Sequence, residues 1–429
     1  MNFKIASRLL SLTIALAGAL AGPATVPAAA HSEHVNAAVA WNQTMLATFA
    51  NAKVAPASGN RLGAIVGAAV FDAVNGIEAR YAPIHVTPGA PEDASPEAAA
   101  AGAAYTALVT LFPLQKAALD DALTSYETSI GDDGDARSIA DGLAWGQSVA
   151  TQILAWRAAD GFNSTLPPYL FGTAAGDWQP TPGGSGSPRF RTLAVTAPFA
   201  LTSPSEFRPA GPPALTSARY AQDLNELEAV GGLVSTERTP SQTETAQFWQ
   251  LDTPTALWDR VADSLALRDH RNLLASARLL ALVNIALADA TIAVFDAKNA
   301  FNFWRPATAI VAAASDGNPA TAAVPTWLPL LTTPYFQEYP SAHSAVSAAA
   351  AMVLASTFGE NTDFTMTSAG LPGVVHSFTH FSAAVAEVAN SRIYAGFHFR
   401  FSCEDGIHLG LQVSERVQST LMLPPRDSD

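Results

Sequence analysis

The sequence predicts an all-α protein, a C-terminal helical bundle with a helical N-terminal region wrapped around it. Three observations lead there. Hydrophobic residues make up 49% of the chain and charged residues 14%, so it can bury a large core and does not read as disordered. Alanine is abundant and β-branched runs are short, which favours helix over sheet. Segment after segment places apolar residues three and four apart, the spacing of one helical face.

The 429 residues suffice for one large or two ordinary domains. Residues 1–30 read as a secretory signal: Lys4 and Arg8 form a basic start, an apolar stretch runs from Leu9 to Gly22, and Ala28, Ala29 and Ala30 offer a small-residue cleavage site. Residues 31–262 form the expected N-terminal helical region and residues 263–429 the C-terminal bundle. From Leu62 to Val74 a helical stripe ends at Asn75-Gly76, an expected stop. A helix is expected from Pro96 to about Phe112, broken by Pro113 and resumed to about Ile130, and another over 138–159. The stretch Gly161–Pro213 is rich in Gly, Pro, Ser and Thr and reads as a long ordered excursion. Helices return over Ser217–Ala229 and Thr243–Leu251. Leu273–Phe295 is the most apolar of them, but Asn284 and Asp289 mark it as a buried core helix and not a membrane span. Ser344–Phe358 is a small-residue helix stopped by Gly359, and a last pair covers Phe381–Tyr394 and Glu404–Leu421.

The formal net charge is −14, with 23 Lys and Arg. That balance excludes a nucleic-acid binder, which needs clustered basic residues. Without the signal, which holds two basic and no acidic residues, the charge is about −16. The single cysteine, Cys403, allows no intrachain disulfide. The signal and the lack of any better apolar span point to a secreted or periplasmic protein.

In so acidic a chain, cations that must point inward need an explanation, and three segments supply them. The first is KNAFNFWRP, from Lys298 to Pro306; seven residues separate Lys298 from Arg305, about two helical turns, so both could share one face of a helix ending near Arg305. They could equally be two solvated cations. The second is Tyr339-Pro340-Ser341-Ala342-His343, just before a helix, where free N–H groups and the positive dipole end suit an anion. Ser341 could serve as an ordinary N-cap, whereas His343 has no capping role and suits general acid–base work. The third runs from Ser391 to His398. The stripe Phe381, Val385, Val388 continues into Arg392, and an arginine on a core-facing stripe is costly unless an anion meets it or it snorkels past the end. Gly396 would break the helix and turn His398 back toward Arg392. Together the segments hold three cations, a hydroxyl and two histidines, a set suited to a multiply charged oxyanion.

The order KxxxxxxRP, PSxH, SRxxxGxH resembles the three-part signature of vanadium-dependent haloperoxidases and type 2 phosphatidic acid phosphatases. Segments such as FDAVNGIEARYAPI, DWQPTP, PFALTSPSEFRP and DAKNAFNFWRPATAI are similar to the soluble, exported, haloperoxidase-like bacterial branch, so the resemblance covers most of the chain after residue 30. It implies a helical-bundle core of the vanadium haloperoxidase and acid phosphatase type with vanadate at one end. His398 would be the ligand to vanadium, with Lys298, Arg305 and Arg392 neutralising its oxygens. Ser341 and the backbone of Ala342 would contact them, and His343 would act as acid–base. Hydrogen peroxide and a halide or small organic molecule would be the partners. In the phosphatase version His398 attacks phosphorus to form a phosphohistidine and His343 protonates the leaving oxygen. Two positions depart from the pattern. Ala342 stands where Gly is usual, and its methyl could crowd the oxyanion or fix the backbone N–H. Ser402 stands where the phosphatases often have the Asp that orients the histidine, which weakens that version unless Asp405 or Asp296 substitutes.

Competing constellations are weaker. His376 and His380 have the i, i+4 spacing of helix-borne metal ligands, without an intervening Glu or an evident third ligand. Cys403 has no base beside it and reads as a buried thiol, and Ser341 lacks a GxSxG turn. Three functions remain: a vanadium-dependent haloperoxidase-like oxidoreductase, an acid phosphatase of the same superfamily, and an oxyanion binder with little turnover.

Overall fold

The computed structural model describes residues 36–131, 135–181, 184 and 186–425. The expected signal over 1–30 lies outside the described residues. Helices dominate: α1 (Ala37–Asn51), α2 (Pro56–Glu78), α3 (Pro96–Leu111), α4 (Lys116–Gly131), α5 (Ala136–Ala158), α6 (Ala218–Val230), α7 (Pro240–Gln250), α8 (Pro254–Arg268), α9 (Leu273–Phe301), the short α10 (Pro306–Ala309), α11 (Ala342–Phe358), α12 (Phe381–Tyr394) and α13 (Arg400–Thr420). An antiparallel hairpin, β1 (Phe364–Thr367) and β2 (Val375–Phe378), pairs Phe364 with Phe378 and Thr367 with Val375.

The all-α class is observed, with the hairpin as an addition that no periodicity announces. Helices α1 and α8 are likewise additions to the expected set. The expected stop at Asn75-Gly76 is not where α2 ends. Asn75 spends its amide on both backbone groups of Tyr81 (2.8 and 2.9 Å), Trp145 packs over Gly76, and the helix runs on until Ala79 turns left-handed at φ 52°.

Helix α9 is long and apolar enough to cross a membrane, yet it is buried, packed against α1, α2, α8, α11 and α13. A helix apolar on every side needs cover on every side. Its polar residues find their partners inside the protein. Asn284 donates to Asp259 (2.9 Å), Thr291 receives Asn60 (2.7 Å), and Asp289 accepts the N–H groups of Phe199, Ala200 and Leu201. Burial still pushes the Asp289 carboxyl up to about 6.

The 161–213 stretch contains no α-helix among its described residues, only a 3-10 turn over Arg191–Val195. It is laid along α9 by specific bonds: Asp289 holds its 199–201 turn, Arg208 clasps Asp296 through two 2.7 Å bonds, and Trp178 N–H donates to the Asn302 carbonyl. The C-terminal helices pack unusually close. A Cβ on Gly410 would meet the Ala345 carbonyl at 2.1 Å, and one on Gly406 would meet the Ser341 carbonyl at 2.6 Å. These two glycines bring α13 onto the first turn of α11, where Ser341 N–H also donates to the Ser402 carbonyl (3.0 Å).

Candidate active site

The first segment does not form the helix end that its spacing suggests. Helix α9 stops at Phe301 because Asn302 is left-handed (φ 50°), and Arg305 sits in extended backbone as the residue before α10. Pro306 forbids helical geometry at Arg305 and opens the new helix. Lys298 and Arg305 therefore do not share a helix face, although both turn inward and both are fully buried.

Both cations grip one stretch of chain, residues 336–340. The Lys298 ammonium donates to the carbonyls of Gln337, Glu338 and Pro340 at 3.0, 2.7 and 2.6 Å, which uses all three of its protons. Arg305 Nε donates to the Phe336 carbonyl (2.8 Å). Lys298 thus anchors the loop before Ser341 and would have to release a carbonyl to touch an anion. Burial and the neighbouring Arg305 hold its pKa well below the usual lysine range.

This loop carries a residue that the motifs do not single out. Glu338, fully buried, accepts a hydrogen bond from His398 Nδ1 at 2.8 Å and another from Phe399 N–H at 3.1 Å. On the opposite edge of the imidazole, Arg305 Nη1 lies 3.1 Å from Nε2 and also donates to the Phe397 carbonyl. A guanidinium can only donate, so Nε2 accepts and the ring proton sits on Nδ1, facing Glu338. Burial first, then Arg305, Lys298 and Arg392, keep the His398 imidazole neutral. The carboxylate sought for this histidine is therefore Glu338 and neither Asp405 nor Asp296. Asp405 accepts from the Tyr339 hydroxyl at 2.5 Å and Asp296 is held by Arg208. Ser402 Oγ stands 3.5 Å from Nδ1. Glu338 has one signal in sequence: it is the sole acidic residue between Asp316 and Glu360. Its carboxyl is pushed up to about 7 by burial, against the pull of Lys298 and Arg305.

The stripe on α12 does carry Arg392 inward, and the side chain is fully buried. Its Nη2 donates to Gln250 Oε1 (2.7 Å), at the end of α7, and its guanidinium lies over the Phe397 ring. Gly396, at φ 79°, makes the turn that returns the chain to His398; a Cβ there would meet the Gly231 carbonyl at 2.4 Å. Arg392 Nε and Nη1 and Arg305 Nη2 are buried with no protein partner among the described residues. An unmet buried donor costs about 1–3 kcal/mol, more when charged, so three of them on two arginines mark a place for an anion.

Ser341 caps α11, accepting from Ser344 N–H (3.4 Å) and Ser344 Oγ (2.9 Å), which leaves its own hydroxyl proton free to donate. The N–H groups of Ala342 and His343 belong to the first turn, where the helix supplies no acceptor. Ala342, His343 and Gln250 line a cavity of about 620 Å³ that opens in front of the cluster. His343 has no hydrogen-bond partner among the described residues. Burial, then Arg392, Lys298 and Arg305, holds its imidazole neutral.

The other candidates resolve simply. His376 lies on β2 and His380 caps α12, so the helical metal-ligand spacing does not exist; His376 stacks on Phe248 and pairs with Glu387 at 2.6 Å. Cys403 is buried, with its thiol pKa pushed up to about 12 chiefly by desolvation, and is unsuited to nucleophilic work.

Residues 278–424, which contain every motif residue from Lys298 to His398, match a family model described as the VCPO second helical-bundle domain. The vanadium chloroperoxidase of Curvularia inaequalis is 28% identical over 296 residues, covering 51% of this chain and 48% of that protein, so the chain spans about half the length of the curated relative it matches. Among solved structures, the first bacterial vanadium-dependent iodoperoxidase aligns with a TM-score of 0.78 and 27% identity over 90% of this chain and 97% of that one. A bacterial vanadium-dependent chloroperoxidase in its holo form aligns at 0.65 and 17% identity, over 85% and 92% of the two chains, a likeness of fold. The resemblance carried by the three motifs thus extends to the sequence and fold of vanadium haloperoxidases.

Proposed function

We propose that this protein is a vanadium-dependent haloperoxidase-like enzyme that holds vanadate at His398 Nε2 and uses hydrogen peroxide to oxidise a halide. One observation carries the reading: a neutral histidine, oriented by buried Glu338, has Arg305 against its Nε2 and the charge of Arg392 acting on it, and both arginines hold buried N–H groups that lack protein partners among the described residues. The residues fit a vanadate ion. Arg305, on releasing His398 Nε2, and Arg392 would take its oxygens, the Ser341 hydroxyl and the Ala342 N–H would donate from the start of α11, and Lys298 would add charge from behind the loop it anchors. Bound vanadate supplies activation of peroxide toward halide without a change in its own oxidation state.

The chain's own groups do the rest. Glu338 fixes the Nδ1–H tautomer and raises the basicity of Nε2. His343, neutral and without a partner among the described residues, is free to take a proton from incoming peroxide at one nitrogen and return it later. An anion beside it would oppose the field of the three cations and raise its pKa toward the working range.

A second reading has specific support. Glu338 gives His398 the carboxylate partner that a nucleophilic histidine needs, so the Ser402 departure no longer counts against an acid phosphatase working through a phosphohistidine. Paired assays decide between the two. Halide oxidation with peroxide that appears only after vanadate loading supports the first, whereas phosphomonoester hydrolysis inhibited by vanadate, without halide oxidation, replaces it with the second.

A further inference from the structure

The cavity in front of His343 is far larger than peroxide or a halide requires. Its volume of about 620 Å³ falls in the range of sites for small organic ligands. Phe190, Phe295 and Phe336 form one aromatic face, with ring centroids 5.2 to 6.1 Å apart. Asn60 and Thr291, also in the wall, are spent on each other. Ser187, Thr332 and Thr333 add hydroxyls to the wall, and its basic side chains are His343 and Arg189.

Arg61, Arg157, Arg208, Arg219, Arg260 and Arg400 all pair with carboxylates, as an acidic protein allows. Arg189 is exposed, lines the cavity, and has no carboxylate within 4.0 Å among the described residues. Among the described residues Arg191, Arg238, Arg271 and Arg278 also lack a carboxylate partner, and of these arginines Arg189 alone lines the cavity. A guanidinium and a wall of phenyl rings on one cavity match a molecule with a carboxylate and an aromatic ring.

We propose that this cavity binds an aromatic carboxylate, with Arg189 meeting the carboxylate and the Phe190–Phe295–Phe336 face meeting the ring. Its role as the organic acceptor rests on the haloperoxidase reading. Hypohalous acid then transfers halogen to a ring carbon: the O–X bond breaks, a C–X bond forms, and the displaced ring proton joins the hydroxide to leave as water.

Calorimetric titration of the whole protein with para-hydroxyphenylpropanoate and with its methyl ester tests the site without turnover. The acid binds at a single site, at least about tenfold tighter than the ester, since one charge-assisted contact is worth roughly 1.5 kcal/mol or more. R189Q loses that advantage and binds acid and ester alike, while R189K recovers most of it. Saturating vanadate leaves the acid bound. Equal binding of acid and ester to the wild type, R189Q that binds the acid unchanged, or displacement of the acid by vanadate, which would place the carboxylate on Arg305 and Arg392, overturns the proposal. Loss of the haloperoxidase reading alone would leave the titration unaltered.

Discussion

Replacing Glu338 with Gln separates function from stability. The substitution keeps the shape, and the amide oxygen can still accept from His398 Nδ1 and Phe399 N–H, so the fold has no contact to lose. What disappears is a charge held at a cost. The carboxyl is lifted from 4.5 to about 7 by burial, and each pH unit of that lift is worth about 1.36 kcal/mol, so ionised Glu338 burdens the fold by up to about 3 kcal/mol. The sign follows from the raised value: the stability present below pH 4.5 is lost as pH rises through about 7. The amide of Glu338→Gln cannot ionise, so the variant should match the wild type near pH 4 and exceed it by up to about 3 kcal/mol at pH 8, read from urea unfolding of vanadate-free protein. Function should move the opposite way. Loss of a carboxylate behind a metal-ligating histidine costs roughly 10–100-fold in affinity or activity, so vanadate binding by equilibrium dialysis and turnover of the loaded enzyme should fall by that factor. A variant as unstable at pH 8 as the wild type, or one that binds vanadate within twofold of it, would refute the assignment of Glu338 as the positioning residue.

Other expectations concern separate parts of the molecule. His343→Gln should retain vanadate within about threefold and lose roughly 100- to 10,000-fold of halide oxidation; equal losses in both would show that this imidazole binds and does no proton transfer. Asp263, buried beside Asp259 and bonded to Asn42 (3.0 Å), has its carboxyl pushed from 3.8 up to about 7. Its contribution to stability is full below 3.8 and lost as pH rises through about 7, so Asp263→Asn should flatten the decline of Tm between pH 4 and 8 and add up to about 4 kcal/mol at the upper end. An unchanged profile would argue against that carboxyl being the one that titrates. Gly410→Ala drives a methyl into the Ala345 carbonyl at 2.1 Å, and overpacking of backbone on backbone should cost about 1–3 kcal/mol or more in urea unfolding. A variant as stable as wild type would mean that α11 and α13 are not held this close.

Much is legible in the sequence because the relevant rules are local. Helical periodicity is set by neighbours three and four residues away, so α5, α9, α11 and α12 are readable almost to their ends, and the stripe through Val388 points Arg392 into the core before any partner is known. The three motifs name the cations, the Ser341 hydroxyl and both histidines by residue type and order. The hairpin escapes because four-residue strands carry too little pattern, and Arg305 falls on a different element from the expected one because a single left-handed Asn302 outweighs a continuing helical stripe. The partners are beyond reach for a different reason. Glu338 lies 60 positions from His398, Gln250 lies 142 from Arg392, and Lys298 is saturated by carbonyls some 40 positions away. Those distances are closed by packing, and burial then decides which groups keep their protons, so the sequence named the chemical groups while the tertiary structure chose their partners and charge states.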